Sequence, residues 1–363
     1  MSNTANILIT DTDASCNDKS FQYLLWFEPS LWWMVLTKDT LDIILDGRYF
    51  SKTKKIDESN IKNIIWNQDL KINYINSKDT IWEIIEIITD KTRKITEVIL
   101  EWQIATSDSR KIDKVLDFET KVLKKWEWYF SDKRINKNTN EKQNIKKAIK
   151  IIDKTFNYIT ELNNSWKLKW KTELQVRWMI INKIFEFGGS WESFPAIVAF
   201  GENSSTPHHE SSETIIWDWV LLIDMWAKYN WYCSDFTRTF WVWEKNEQYN
   251  KFIEIYEIVK QAHLNAFEKA ESWMSWTEID NLTREVIEKA WYWDFFIHWT
   301  GHWVWLDIHE IPWVWKTSEN KIENDMVFTI EPWIYLPWEF WIRLEDIVVM
   351  EKGKLIKYSE VEL

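Results

Sequence analysis

The sequence predicts an α+β protein with two domains, a smaller α/β domain in residues 1–135 and a larger one in residues 136–363. The chain has 363 residues, 45% of them hydrophobic, which is enough for two separate cores. Short β-type runs mix with amphipathic helical stretches up to about residue 135. Beyond that point, helical periodicity comes first and strand-like runs follow.

The first domain shows the local pattern of a sheet. Met34 to Thr37 and Leu41 to Leu45 are strand-like runs on either side of a turn-like segment. Ile95 to Glu101 has the composition of a further strand. Strands mixed with amphipathic helices are typical of an α/β domain.

In the second domain, apolar residues at helical spacing between Glu141 and about Phe187 predict two helices. Gly188 and Gly189 end this helical region, and strand-like runs follow them. Two more helices are expected, from about Asn246 to Ala270 and from Glu278 to Ala290.

Charge and cysteine content exclude several classes of protein. A formal charge of -12 opposes binding to nucleic acid, which needs a basic face to replace phosphate counterions. Cys16 and Cys233 are too few for a disulfide framework or a zinc ribbon. No uninterrupted apolar run reaches membrane-spanning length, and the amino terminus does not resemble a secretory signal. We therefore expect a cytoplasmic protein.

Tryptophan is in excess and glycine is deficient. The chain has 6 glycines and 30 tryptophans, whereas average usage predicts about 25 glycines for this length. Tryptophan also stands where turns favour a residue without a Cβ, as in Asn230-Trp231 between two apolar runs. The sequence suggests that many of these tryptophans are encoded by UGA codons, which the cell reads as glycine. Some bacterial lineages use this reassignment. The alternative is a protein genuinely rich in tryptophan.

The segment from Val220 to Val242 is predicted to form a β-hairpin with Asn230 and Trp231 at its tip. The expected pairs are Tyr229 with Tyr232, Asp224 with Thr237, and Asp235 with Trp226. Because side chains alternate along a strand, Asp224 and Asp235 then share one face as diagonal neighbours.

Two carboxylates on one buried sheet face repel each other unless cations lie between them, so this hairpin suggests a metal site. The alternatives are solvated aspartates beside a turn, or aspartates in salt bridges to Arg238.

Histidines and glutamates later in the chain could complete such a site. His298, His302 and His309 are half of the six histidines and lie within a dozen residues. Glu331 follows an apolar strand, and Glu345 is expected inside another strand that includes Arg343. Four carboxylates and one imidazole could hold two divalent ions: Asp224, Asp235, His302, Glu331 and Glu345.

These segments resemble the creatinase/aminopeptidase, or pita-bread, metallopeptidases, especially aminopeptidase P and prolidase. With tryptophan read as glycine, "IDMWAKYNWYCSDFTRTF" is similar to the family's first ligand hairpin and "HWTGHWVWLDIHEIPWVW" to its histidine loop. "TIEPWIY" and "WIRLED" are similar to its two glutamate motifs. The resemblance implies a C-terminal pita-bread catalytic domain preceded by the smaller α/β domain.

The resemblance also implies a role for each ligand residue. Asp224 and Asp235 would bind the metals, with Asp235 bridging both ions. His302 and Glu331 would each bind one ion, and Glu345 would bridge. Because all five positions are filled, creatinase itself is disfavoured, since it does not keep these ligands. Manganese is the favoured metal, with cobalt, zinc or iron as alternatives.

Other family positions imply catalytic roles. His298 would lie beside the scissile peptide, and His309 would stabilise the tetrahedral intermediate. His208 matches the upstream active-site histidine, with the adjacent His209 as the alternative. Glu331 would also transfer protons, and Arg343 would orient the neighbouring acidic groups.

The function implied is hydrolysis of the Xaa-Pro bond at the N-terminus of peptides or in dipeptides, by an enzyme that is expected to be a homodimer. The alternatives are an inactive pita-bread module that only binds peptides or proteins, and a methionine-aminopeptidase-like activity. Glycines around His302 would let substrate approach, whereas Trp299, Trp303 and Trp305 depart from the family pattern.

Overall fold

The computed structural model describes residues 4–11, 20–25, 31–45, 50–77, 80–100, 106–116, 120–123, 130–190, 195–206, 209–306, 308–310 and 320–363. The chain forms two compact units, Met1–Arg134 and Ile135–Leu363. They divide one residue before the boundary expected from the sequence.

Strands and helices alternate in the first unit. Its strands are β1 (Thr4–Asp11), β2 (Leu31–Leu36), β3 (Thr40–Leu45), β4 (Lys71–Asn76), β5 (Glu97–Leu100) and β6 (Lys121–Val122). Its helices are α1 (Ser20–Leu25), α2 (Glu58–Ile65), α3 (Thr80–Thr89) and α4 (Thr106–Asp113), and α5 (Ser131–Ile135) follows at the boundary. A 3₁₀ helix covers Phe50–Lys55.

The six strands make one mixed sheet in the order β4-β3-β2-β1-β5-β6. Alternate residues point to opposite faces, so Val35 packs on one side with Ile84 of α3, while Met34 packs on the other with Ile61 of α2. Both faces are therefore covered by helices, as in the predicted α/β domain.

The second unit begins with two long helices and continues mainly with strands. The helices are α6 (Thr139–Asn164), α7 (Glu173–Glu186), α8 (Tyr249–Lys269) and α9 (Trp276–Lys289). The strands are β7 (Ile197–Phe200), β8 (Val220–Met225), β9 (Lys228–Tyr229), β10 (Tyr232–Cys233), β11 (Phe236–Trp241), β12 (Val327–Ile330), β13 (Trp333–Leu336), β14 (Phe340–Arg343), β15 (Glu345–Glu351) and β16 (Lys354–Lys357). Short 3₁₀ helices cover Gly201–Ser205 and Trp293–Phe295.

Side-chain caps determine where three of the predicted helices begin. The side chains of Asn138, Thr172 and Ser275 each accept a hydrogen bond from the backbone amide three residues later, and the side chain of that later residue accepts one from the backbone amide of the cap. Such capping boxes satisfy backbone donors that a helix start would otherwise leave unpaired. The four helices predicted in this domain are confirmed, with ends shifted by a few residues.

The main sheet of the second unit has the order β12-β15-β11-β8-β7, with β16 also pairing with β15, and every pairing is antiparallel. On one face, Ile223 packs with residues of α6 and α7, including Ile152 and Ile180. On the other face, Leu222 packs with α8 and with the β13–β14 ribbon. Each buried face of the sheet is covered, so the α+β class is confirmed.

The hairpin predicted around Asn230 and Trp231 is present. Tyr229 pairs with Tyr232, and Asp224 pairs with Thr237, as expected. Residues 226, 227, 234 and 235 belong to no strand, so the expected pairing of Asp235 with Trp226 is not part of a ladder. Asn230 and Trp231 have φ of 48° and 75°, the left-handed values that a tight hairpin turn requires.

One prediction about the strands was wrong. Arg343 and Glu345 were expected inside a single strand, but β14 ends at Arg343 and β15 begins at Glu345. The two strands belong to different sheets, because β14 pairs with β13 while β15 joins the main sheet. An apolar run does not reveal such a change of partner, since both strands are buried.

Among the described helices, none combines the length and apolar character that crossing a bilayer demands.

Candidate dinuclear metal centre

A row of polar side chains crosses the main sheet of the second unit. Asp224 of β8 lies opposite Thr237 of β11, which in turn lies opposite Glu345 of β15. Ile330, the last residue of β12, lies opposite Asp346. Extending this antiparallel register by one residue places Glu331 opposite Glu345. Residues more than a hundred positions apart are thus brought into one line by strand pairing.

His302 lies close to three of the carboxylates. Its Nε2 is 3.2 Å from Asp235 Oδ2, 3.5 Å from Glu331 Oε1 and 3.9 Å from Glu345 Oε1. Possible ligand atoms of Asp235, His302 and Glu345 all lie within 4.8 Å of one another. Asp235 and Glu345 are buried, so their charges are largely removed from water.

Hydrogen bonds to β12 hold the His302 loop. The backbone amide of His302 donates to Thr329 Oγ1 at 2.9 Å, and the amide of Thr329 donates to the His302 carbonyl at 2.8 Å. The amide of Glu331 donates to the Thr300 carbonyl at 2.7 Å. These bonds fix the imidazole and the Glu331 carboxylate relative to each other.

Arg343 links two of the acidic side chains. Its guanidinium contacts Asp224 Oδ2, and its Nε is 3.9 Å from Glu345 Oε2. The same Nε donates to Thr237 Oγ1 at 2.9 Å. Arg238, considered above as a partner for the aspartates, instead binds Asp346 at 2.8 Å. The salt-bridge partner of Asp224 is therefore Arg343.

The carboxylates perturb one another strongly. Burial and the charge of Asp235 raise the pKa of Asp224 to about 6. Burial and Glu345 raise the pKa of Asp235 to about 7, and burial and Glu331 raise that of Glu345 to about 8. Burial also raises the pKa of Glu331. Such mutual repulsion indicates a site with too little positive charge of its own.

The side chains fit divalent cations. Asp224 Oδ1 is buried and accepts no hydrogen bond, although buried carboxylate oxygens are normally paired. Four carboxylates and one imidazole form a donor set that suits hard or borderline divalent ions. A bound cation would contact the unpaired oxygen and neutralise the repelling carboxylates. The salt bridge between Asp224 and Arg343 leaves that oxygen unpaired.

The three remaining predicted histidines differ in position. The ring of His309 lies 4.3 Å from that of His302, centroid to centroid. The ring of His298 lies 4.8 Å from that of Trp333, which follows Glu331 by two residues. Both side chains are exposed, as a substrate-contacting group requires. His208 lies outside the described residues.

The neighbouring His209 is engaged elsewhere. Its Nε2 lies 2.9 Å from Oε2 of the buried Glu173, which the amide of Phe200 and the side chain of Asn203 also contact. This contact gives His209 a structural partner.

Two threonines that support the ligands were not singled out from the sequence. Thr237 Oγ1 donates to Glu345 Oε2 at 2.6 Å, and Thr329 Oγ1 lies 3.3 Å from Glu331 Oε1. Thr237 could have been found, because the predicted hairpin places it opposite Asp224. No local signal marks Thr329, since its role depends on the loop that packs beside it.

Comparisons with known proteins indicate the family to which the chain is related. The sequence profile of metallopeptidase family M24 matches residues 143–352. A Mycoplasma genitalium protein provisionally named an Xaa-Pro aminopeptidase is 31% identical over 347 residues, 95% of this chain and 91% of that protein. The Xaa-Pro dipeptidase of Pyrococcus furiosus is 35% identical over 243 residues, 67% of this chain and 68% of that protein.

Solved structures show the same fold. An X-Pro aminopeptidase from Thermotoga maritima matches with a TM-score of 0.83 at 25% identity, covering 99% of this chain and 96% of that one. A prolidase from Pyrococcus furiosus matches with a TM-score of 0.81 at 27% identity, covering 99% and 97%. The predicted architecture, a pita-bread domain preceded by an N-terminal domain, is confirmed. The chain belongs to metallopeptidase family M24.

Proposed function

We propose that this chain is a dinuclear metal-dependent exopeptidase that hydrolyses the Xaa-Pro bond at the N-terminus of peptides or in dipeptides. The observation that carries the proposal is the convergence of Asp235, Glu331 and Glu345 on His302. Asp224, with its buried unpaired oxygen, lies in the same row of strand residues as Glu345. Relatives named Xaa-Pro aminopeptidase and Xaa-Pro dipeptidase support the choice of substrate.

The proposed ligands are those that the family resemblance implies. Asp235, His302 and Glu345, whose possible ligand atoms lie within 4.8 Å of one another, would hold metal. Asp224, held by Arg343, and Glu331, beside His302, would complete the set of residues that hold the metal. Residues 136–363 would then be the catalytic domain and residues 1–135 an N-terminal accessory domain.

Divalent cations bound here would supply Lewis acidity and a water activated near neutral pH. The remaining steps belong to the chain itself. Glu331 would accept a proton at its carboxylate and pass it to the proline nitrogen that leaves. His309, exposed beside His302, and His298, exposed beside Trp333, would donate hydrogen bonds to the substrate carbonyl as negative charge develops on it. We propose His208 as a further substrate contact.

Several finer properties belong to the same proposal. Oxygen-rich ligation with one imidazole favours manganese, with cobalt, zinc or iron as alternatives. A homodimer is expected from the family resemblance, and the low cysteine content favours the cytoplasm. Aminopeptidase and dipeptidase activities differ in whether the site admits residues beyond the proline.

The test is metal-dependent release of the first residue from Xaa-Pro dipeptides and from longer Xaa-Pro peptides. It uses full-length protein in which peptide mass spectrometry has established the residue at each tryptophan codon. Turnover of dipeptides alone would identify a dipeptidase, and turnover of both lengths an aminopeptidase. Glu331→Ala should abolish turnover, while Glu268→Ala, which removes an exposed carboxylate of α8, should leave it unchanged.

Two results would contradict the proposal. Peptide binding without manganese- or cobalt-stimulated turnover would indicate an inactive binding module. Cleavage of Met-Ala peptides in preference to Xaa-Pro peptides would indicate a methionine-aminopeptidase-like activity.

A further inference from the structure

We propose that Asp280 and Arg284 of α9 are positioning residues for the loop that carries His298. The two residues are four apart on one helix, so their side chains lie side by side. Arg284 Nε donates to Asp280 Oδ2 at 2.9 Å, and Asp280 is 3% exposed. This Asp280–Arg284 pair lies outside the metal cluster, and its role rests on the function proposed for His298.

The pair binds the loop on both sides of His298. Arg284 donates from Nη1 to the Phe296 carbonyl at 3.1 Å and from Nη2 to the His298 carbonyl at 3.0 Å. Asp280 Oδ1 accepts from the amide of Thr300 at 2.9 Å and from its hydroxyl at 2.8 Å. Residues 296–302 form no helix or strand, so these four bonds replace a regular backbone ladder.

The same loop continues into the proposed catalytic centre. The Thr300 carbonyl accepts the amide of Glu331, and Gly301 and His302 follow directly. A shift of the loop at Thr300 would therefore move His298 and disturb the attachment of Glu331. Three atoms of one charged pair, Arg284 Nη1, Arg284 Nη2 and Asp280 Oδ1, make four hydrogen bonds to the loop, which is more than an isolated surface salt bridge provides.

α9 offers a matched control. Glu285 and Lys289 also form a pair four residues apart, with 3.4 Å between Lys289 Nζ and Glu285 Oε2, but both side chains are mainly exposed. Arg284→Ala and Asp280→Asn should lower kcat for Xaa-Pro peptides more than tenfold, with KM changed less than threefold and the metal content unchanged. Lys289→Ala should leave all three unchanged. Arg284→Lys should have a higher kcat than Arg284→Ala, because the lysine ammonium keeps the positive charge. It should not reach the parent kcat, because it lacks the planar pair of donors that binds the Phe296 and His298 carbonyls.

A second readout separates this proposal from the proposed function. In histidine-labelled protein, the NMR signal of His298 should shift in Arg284→Ala and stay in place in Lys289→Ala, whether or not the enzyme turns over peptides. Failure of the parent protein to cleave Xaa-Pro peptides would contradict the proposed function alone. A folded Arg284→Lys or Arg284→Ala variant with unchanged kcat and an unchanged His298 signal would overturn the positioning role.

The backbone carries a second inference independently: we infer that the chain made in its own cell has glycine where tryptophan occupies left-handed backbone. Within the described residues, twelve non-glycine positions have positive φ, and eight of them are tryptophan. They are Trp66, Trp166, Trp170, Trp231, Trp243, Trp273, Trp291 and Trp338. A side chain with a Cβ is disfavoured in this region, and glycine is its usual occupant.

The locations are those where glycine is expected. Trp66 ends α2 with φ of 60°, and Trp291 follows α9 with φ of 67°, as glycine does at helix ends. Trp338, with φ of 66°, lies in the turn between β13 and β14. Their indoles are 87%, 83% and 85% exposed, so no packing compensates for the backbone.

Buried tryptophans give a separate indication. The indole Nε1 atoms of Trp219, Trp276, Trp333 and Trp341 are buried and have no hydrogen-bond acceptor, although buried indole N–H groups usually find one. The Trp333 ring also packs at a tilt against His298 and against Trp341, where glycine would leave room for substrate. A cell that reads UGA as glycine accounts for both observations.

Peptide mass spectrometry of protein isolated from its own cells should find glycine at the eight left-handed positions. Tryptophan at those positions would overturn the inference. In the tryptophan-containing chain, Trp66→Gly should raise the midpoint of thermal unfolding because it relieves left-handed strain. Trp82→Gly, at an exposed position in helix α3, should lower that midpoint. A lower midpoint for Trp66→Gly would contradict the backbone argument.

Discussion

The hydroxyl of Thr237 donates a hydrogen bond to Glu345 Oε2 at 2.6 Å, across two adjacent strands. Thr237 is fully buried and also accepts from Arg343 Nε at 2.9 Å. One hydroxyl therefore orients a proposed bridging carboxylate and the arginine that holds Asp224. The other oxygen of Glu345 faces His302.

Thr237→Val should weaken metal binding by about 10–100-fold, since outer-shell partners of ligands typically have effects of this size. Valine keeps the shape of threonine but cannot donate to Glu345 or accept from Arg343. Thr237→Ser, which keeps the hydroxyl, is the control and should bind nearly as well as the parent. Calorimetric titration of metal-free protein with manganese measures both. Equal affinities for the valine and serine variants would show that the hydroxyl is not needed.

Gly301→Ala should displace His302 and reduce both metal content and turnover. A Cβ at residue 301 would collide with the carbonyl oxygen and side chain of Thr329 on β12. Overpacking of this kind costs about 1–3 kcal/mol and moves the backbone. Gly353→Ala is a suitable control, because its Cβ would meet only Ser272 Oγ at 3.4 Å, although its φ of 81° also adds strain. Metal analysis of the two purified variants should find the loss only in Gly301→Ala.

The metal-free protein should lose stability as pH rises from 5 to 8. Burial and mutual repulsion raise the pKa values of Asp224, Asp235 and Glu345 to about 6, 7 and 8, above their unfolded values. The folded state therefore binds more protons than the unfolded state in this range, and its stability falls as those protons leave. Asp346, whose pKa is about 2 beside Arg238, stays ionised throughout.

Manganese should remove this dependence, because a cation favours the ionised carboxylates. Urea unfolding at pH 5 and pH 8, with chelator and with saturating manganese, measures the change in unfolding free energy. A chelated protein that is more stable at pH 8 than at pH 5 would contradict the prediction.

Glu173→Gln should destabilise the second unit by about 3 kcal/mol, because it breaks a buried charged network. Glu173 is fully buried and accepts from the amides of Phe200 and Ser212 and from the side chains of Asn203 and His209. In glutamine, an NH2 group replaces one carboxylate oxygen. This donor would face the donor groups from which Glu173 accepts its hydrogen bonds. Glu210→Gln, at an exposed position, should change stability by less than about 0.5 kcal/mol. Denaturant unfolding measures the unfolding midpoints of the two variants. Equal midpoints would show that the Glu173 network does not stabilise the second unit.

Much of the second unit could be predicted from local signals. Apolar residues at helical spacing predicted α6 to α9, and Asn230-Trp231 predicted the hairpin with Asp224 opposite Thr237. These features depend on residues close in sequence, and side-chain periodicity records them directly. The change of sheet between Arg343 and Glu345 was not predicted. Both strands are buried, and the kinds of residue in the sequence do not change where one strand ends and the next begins.

The sequence by itself determined the kinds of side chain available for a metal site, the register of the hairpin and the improbable number of tryptophans. Only the tertiary structure decided that Glu345 lies beside Thr237, that Arg343 rather than Arg238 holds Asp224, and that the His298 loop rests on α9. The physical reason is that these contacts join strands and loops distant in the chain. Their geometry depends on which edges pair and pack, and no local pattern encodes that choice.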